Sequence, residues 1–170
     1  MKIISHFRDE YAFLNNFYEH PVVFEGIVYP TNEHAFQAAK TLDVKLRREI
    51  AACETPAEAK NLGRKIPLRR DWEEVKTGVM EELCRAKFSD PVLQEKLLAT
   101  AVCYLIEGNH WGDTCWGQVN GKGENRLGKI LMKLREEFSL GKSIDEVIDD
   151  ASQRSCRSEA EPCRGQELCQ

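Results

Sequence analysis

The stretch Tyr29-Pro30-Thr31-Asn32-Glu33-His34-Ala35-Phe36-Gln37-Ala38-Ala39-Lys40 marks where the chain turns from strand into helix, and it gathers polar chemistry there. Pro30 blocks helix upstream, Thr31 is a favourable N-cap, and Glu33 falls in the first turn. Helical spacing lines up Glu33, Gln37 and Lys40 on one stripe and leaves Phe36 and Ala39 to face a core. The N-terminal end of the helix dipole is expected to favour ionised Glu33. Such a carboxylate is ready to act as a base or to stabilise a cation. The plainer reading, a capping-turn Glu beside a surface His34, stands open beside it.

Working outward, Val22-Val23-Phe24 and Ile27-Val28-Tyr29 read as two short β runs joined through Glu25-Gly26, a hairpin. Lys2 to Phe7 reads as an opening strand. Downstream, helices are expected over 32–41 behind Thr31, over 44–53 behind Asp43, and from Thr55-Pro56-Ala57-Glu58 to Gly63, where cap, N1 proline and capping Glu agree. Asp71 opens a longer helix to about Phe88 with Val75, Val79, Leu83 and Ala86 inward, and Asp90-Pro91 opens another to about Thr100. Ala101 to Ile106 is apolar and β-rich, a buried strand. A glycine- and tryptophan-rich loop follows over 107–124, then a helix from Asn125 to about Leu140 with Leu127, Ile130, Leu131 and Leu134 inward. Ser143-Ile144-Asp145-Glu146 is a capping box for a short last helix. The expected fold is α+β: a predominantly helical single domain over 1–151 with a small β-sheet, then a disordered tail over 152–170.

At 170 residues and 42% hydrophobic content the chain can bury one core. The formal charge of −4 argues against a general nucleic-acid binder, although a local basic pocket stays open. No apolar run reaches membrane-spanning length, so a soluble, cytoplasmic protein is expected. Seven cysteines, an odd number, fit free thiols. Cys156, Cys163 and Cys169 lack the C-x-x-C spacing that zinc sites prefer, and no metal site is expected.

Three further constellations carry chemistry. In Glu107-Gly108-Asn109-His110-Trp111-Gly112-Asp113-Thr114-Cys115-Trp116-Gly117, two tryptophans flank Asp113 among three glycines. Either a planar heterocycle stacks on the indoles, or the rings plug the core. Gly121-Lys122-Gly123-Glu124-Asn125-Arg126-Leu127-Gly128-Lys129 fits a phosphate-loop pattern by letter, but Ile130 stands where that loop needs Ser or Thr. What survives is a glycine- and lysine-bearing lead into a helix that holds one phosphate. Phe13-Leu14-Asn15-Asn16-Phe17-Tyr18 packs rings around two amides, as a core-anchored turn or a ligand-contacting loop. Lys65, Arg69 and Arg70 form a basic patch around Pro67, solvated or phosphate-binding.

Together these segments resemble the NADAR, or YbiA-like, family. The resemblance rests on Phe13 to Tyr18, on Tyr29 to Lys40, on Asp113-Thr114-Cys115-Trp116-Gly117, and on Gly123 through Arg135, in the right order across roughly residues 5–140. Asn15 replaces a Ser of the family pattern. The resemblance implies hydrolysis of an N-glycosidic bond between a ribose phosphate and a base, of riboflavin-biosynthesis-intermediate type. An ADP-ribosyl hydrolase acting on a modified base is the alternative within the same reaction class. A non-catalytic sensor of an ADP-ribose- or NAD-like ligand is the alternative outside it. By motif, Glu33 is implied as the catalytic carboxylate, with Asp113 and Trp116 completing the site.

The chemistry agrees with that assignment, since C1′–N cleavage passes through an oxocarbenium-like state that needs nearby negative charge, a water-activating base and help to the departing nitrogen. Glu33 is then expected to supply the charge, Asp113 the acid/base help and Trp116 a stacking surface for the base or ribose, with Asn15, Asn16 and Asn125 on ribose hydroxyls, and Lys40 with the 121–129 segment, Gly123 and Lys129 included, on phosphate. Phe17, Gln37 and Trp111 complete the expected contacts, with His34 structural or substrate-orienting. The partner is a small phosphorylated ribosyl substrate, nucleic acid entering only if ADP-ribosylated. No cofactor is called for, and the sequence fixes no oligomeric state.

Overall fold

The structure, a computed structural model, describes residues 2–141. The chain opens with Ile3–Ile4 (β1) and a 3-10 helix, Asp9–Leu14. It then folds Val22–Phe24 (β2) onto Ile27–Tyr29 (β3) as the expected hairpin, Val22 opposite Tyr29. Both turn residues are left-handed, Glu25 at φ 45° and Gly26 at φ 76°, the type I′ geometry that matches strand twist. Glycine adopts this conformation freely and Glu25 does not. Glu25 is held in it by an ion pair with the buried Arg47.

Asn32–Ala38 (α1) begins behind Thr31, whose Oγ1 accepts from the His34 amide at 3.3 Å and bonds His34 Nδ1 at 2.8 Å. Seven residues are too few to hold a helix in water. Packing supplies the stability, because Val44–Ala51 (α2), Pro56–Gly63 (α3) and Trp72–Lys87 (α4) lie against α1 together with the hairpin. All seven residues of α1 are buried, so the expected division into a core face and an outer polar face does not hold. The α1–α3 approach is close: a Cβ at Gly63 would lie 2.3 Å from Gln37 Oε1. Asp43, Thr55 and Asp90 cap α2, α3 and Pro91–Ala99 (α5) through their side chains, as expected.

Two expectations need correction. The buried stripe of α4 runs through Trp72, Val79, Met80, Leu83, Cys84 and Lys87, with Val75 and Ala86 only half-buried. The helix is turned so that Met80 and Lys87 meet the Asn15-Asn16 loop. The strand expected over 101–106 shrinks to Tyr104–Leu105 (β4). Ala101, at φ 46°, closes the end of α5 by donating to the Leu98 carbonyl, which leaves Val102 85% exposed. β4 pairs in parallel with β1, Ile3 opposite Tyr104, so the β content is two separate pairs rather than one sheet.

A helix over 126–141 (α6) buries Leu127, Ile130, Leu131 and Leu134. A Cβ at Gly128 would lie 2.2 Å from the Leu105 carbonyl, so α6 rests directly on β4. The core and the site described next lie in one compact unit that ends at Arg135. The boundary expected at 151, the short last helix and the cysteines of the tail lie outside the described residues. Cys53, Cys84, Cys103 and Cys115 are free thiols, as expected. Among the described residues no helix is long and apolar enough to cross a membrane.

Candidate active site

A cavity of about 630 Å³ opens between α1, α3, the Asn15–Phe17 loop and the tryptophan loop. That volume suits a small-molecule ligand. Glu33, Phe36 and Gln37 from α1 reach it, with Lys40 from the turn just after the helix, which ends at Ala38 and not at 41 as expected, and so do Asn15, Asn16, Phe17, Trp111, Asp113 and Trp116. Three of the nominated segments, far apart in sequence, thus converge on one cavity.

The cavity also has walls that the sequence reading did not nominate. Lys60 projects from α3 and Arg64 from its C-cap, and Arg8, Met80 and Glu107 complete the lining. The i, i+4 spacing of Lys60 and Arg64 on the best-marked helix of the chain was the available signal. Glu107, next to β4, carried none beyond its place at the start of the loop.

Glu33 is 6% exposed and accepts from Gln37 Nε2 at 2.7 Å. Burial raises its pKa, opposed by Lys60, the Gln37 hydrogen bond, Lys40 and Arg64 in that order. The helix dipole was expected to settle the ionised form, but burial outweighs any such bias, and three cations with one amide defend the charge. Lys40 is lowered by its own burial and supported chiefly by Glu33. The Glu33 amide donates to the Asn16 carbonyl at 3.0 Å, which ties the Asn15–Phe17 loop to the first turn of α1.

The tryptophan loop is organised by Asp113. Its Oδ1 accepts from the amides of Cys115 and Trp116, both at 2.9 Å, while its backbone exchanges two hydrogen bonds with the Asn109 side chain. That turn sets Trp116 edge-on to Phe36, ring centroids 5.3 Å apart, and Phe36 in turn meets Trp72. Trp111 is 51% exposed at the cavity mouth, against His110. The alternatives for the two indoles divide between them: Trp116 braces the core while lining the cavity, and Trp111 is open for stacking. Asn15 Oδ1 accepts from the Phe17 amide at 2.9 Å, so this side chain is partly a turn former. Asn16 Nδ2 donates to Met80 Sδ at 3.3 Å, a weak acceptor that a hydroxyl can outcompete.

Four nominated residues do not line the cavity. His34 is fully buried, held by Thr31 and by the Cys53 carbonyl at 3.2 Å from Nε2, so the plainer reading of a surface histidine does not hold, and these contacts fit the structural one of its two expected roles. Asn125, at φ 52° and fully buried, donates from Nδ2 to the Leu105 carbonyl at 2.8 Å and accepts from the Glu107 amide at 3.0 Å. Gly123 packs on the carbonyls of Gly117 and Thr114, and Lys129 is exposed. The glycine-rich lead into α6 therefore clamps the loop to β4, and the cations that do line the cavity are Arg8, Lys40, Lys60 and Arg64. In the other basic patch, Arg69 is bidentate to Asp71 at 2.7 and 2.8 Å.

The chain matches the model of the NADAR domain over residues 4–139. It is 45% identical over 138 residues to the N-glycosidase YbiA of Shigella flexneri, covering 79% of this chain and 86% of that protein. A riboflavin biosynthesis protein of Vibrio vulnificus is 38% identical over 134 residues, 76% of this chain and 36% of its own length. The NMR structure of the Escherichia coli protein YbiA superposes with a TM-score of 0.74 at 42% identity, covering 83% of this chain and 87% of the other. An α+β chain with this cavity, this family match and this structural likeness belongs to the NADAR domain family.

Proposed function

We propose that this protein is an N-glycosidase that hydrolyses the bond between a ribose phosphate and a base, of the riboflavin-biosynthesis-intermediate type. The observation that carries the reading is one cavity joining a buried carboxylate, Glu33, to a cationic wall and to indole rings. The ionised Glu33 offsets positive charge developing at C1′ and takes a proton from the attacking water. The electron pair of the C1′–N bond leaves with the base, and the hydroxyl of water completes the sugar. Lys60 and Arg64, with Lys40 beside them, bind the phosphate, and Trp111 stacks on the base or ribose. Asp113 acts mainly by shaping the turn that presents Trp116.

One observation favours a second reading, an ADP-ribosylated base as substrate. Arg8 borders this cavity and also a neighbouring one of about 350 Å³, which would lengthen the groove for a pyrophosphate. Incubation with a pyrimidine-type ribosyl 5-phosphate and, separately, with an ADP-ribosylated base, followed by mass spectrometry, decides between them. Free base with ribose 5-phosphate is the expected result. Free base with ADP-ribose would establish the second reading, and tight binding without product would make the protein a sensor.

A further inference from the structure

We infer that Glu107 is the acid that protonates the departing base nitrogen, an assignment that rests on the hydrolase reading above. Glu107 lines the same cavity as Glu33 and Asp113. Its backbone is fixed on three sides. The amide donates to Asn125 Oδ1 at 3.0 Å, and the carbonyl accepts from Gln118 at 2.9 Å and sits so near Gly117 that a Cβ there would lie 2.2 Å away. The side chain cannot retreat with its loop.

Its Oε2 is buried with no hydrogen-bond partner among the described residues. A buried carboxylate oxygen left so is costly as an anion, whereas a carboxylic acid there lacks only an acceptor. A ring nitrogen or carbonyl of a bound base is such an acceptor.

The charges facing Glu107 agree. Burial is the largest influence, the carboxylates of Asp113 and Glu33 add to it, and Lys60 opposes weakly; together they push the Glu107 pKa up to about 8. Glu33, in the same cavity, is raised by burial as well, but there Lys60, the Gln37 hydrogen bond, Lys40 and Arg64 oppose the shift. Two carboxyls with environments that separate them in this way divide acid and base work between them. In the reaction the Glu107 proton passes to the leaving nitrogen as the C1′–N pair collapses onto the base. Water supplies hydroxide to C1′, and its proton goes to Glu33. Solvent then returns a proton to Glu107 and removes one from Glu33, which restores the enzyme with one water consumed.

The test compares leaving groups. Glu107→Gln is assayed on a pyrimidine-type ribosyl 5-phosphate, whose base needs a proton to depart, and on p-nitrophenyl riboside 5-phosphate, whose phenolate does not. The expected loss in kcat is about 100-fold or more on the first substrate and at most about 10-fold on the second. Glu33→Gln, by contrast, falls on both. Equal losses for Glu107→Gln on the two substrates, or wild-type turnover on the first, would overturn the assignment. If the wild type cleaves neither substrate, the ribose-phosphate reading on which the assignment rests falls, and the acid role with it. A direct readout separates the two failures: carbon-13 titration of glutamate carboxyls, with Glu107→Gln to identify the resonance. A midpoint near 8 is expected, and a midpoint in the ordinary carboxylate range would overturn the donor role whatever the activity.

Discussion

The two walls of the cavity carry opposite charge. The helical wall presents Lys40, Lys60 and Arg64, and the loop wall presents Glu107 and Asp113, with Glu33 rooted in the helical wall. The formal charge of −4 averages this away. A cationic patch on and just beyond two helices thus forms in a chain that is acidic as a whole, and in the proposed reaction it is this patch that would hold the phosphate. The same contrast explains why two glutamates of one cavity differ: burial raises both, but at Glu33 cations and an amide oppose it, whereas at Glu107 other carboxylates add to it.

The largest effect is expected where charge meets the reacting carbon. Glu33→Gln keeps the shape and the contact with Gln37 but removes the negative charge. It should lower kcat by roughly 1,000-fold with KM changed only a few-fold, measured by steady-state kinetics on the phosphorylated substrate. Near-normal turnover would break the comparison at its centre, because Glu33 would then be only another buried partner of the cationic wall.

Removing that wall comes next. Lys60→Ala combined with Arg64→Ala should raise KM for a 5′-phosphorylated substrate by about 100-fold, on the scale of two charge-assisted hydrogen bonds. The matching unphosphorylated riboside should lose much less. Because Lys60 and Arg64 also hold the Glu33 pKa down, the acid limb of the kcat profile should move to higher pH in the double variant. An equal loss on both ribosides would mean that the two cations serve Glu33 and not the phosphate.

The sequence revealed what local chemistry encodes and hid what tertiary packing decides. Thr31, Asp43, Thr55 and Asp90 announced their helices because capping is a contact over two or three residues. The strand 101–106 misled, because a left-handed Ala101 looks the same in sequence as an extended one. Within the site, Glu33, Gln37 and Lys40 were visible as one helical stripe, and the tryptophan loop was visible by composition. Glu107 was not, since its meaning lies in a buried, unpartnered oxygen that no spacing reports. The Gly123–Lys129 segment erred the other way. Its letters suggest phosphate, but both ends of the Asn125 amide are occupied in holding β4 and the loop.

Behind the Asn15–Phe17 loop the contrast between walls has a third case, a cation without a carboxylate. Lys87 is 1% exposed, donates from Nζ to the Asn15 carbonyl at 2.8 Å, and lies 5.1 and 5.4 Å from the ring centres of Tyr18 and Phe88. Burial pushes its pKa down to about 7 from an ordinary 10.5, with Cys84 opposing only weakly. The unfolded chain therefore binds a proton that the native state lacks between about pH 7 and 10.5. Through that window stability from this group rises with pH, and it is lost as pH falls toward 7, where folding must place an ammonium in the core. Lys87→Met should remove the dependence. Between pH 7 and 9 the wild type should gain stability over the variant by on the order of 1 kcal/mol per pH unit, read by calorimetry. The variant also loses the bond to Asn15, so it should bind substrate more weakly at every pH, with kcat less affected than KM. Parallel stability curves for the two proteins would show that Lys87 remains charged, and that a buried cation here needs no acidic partner.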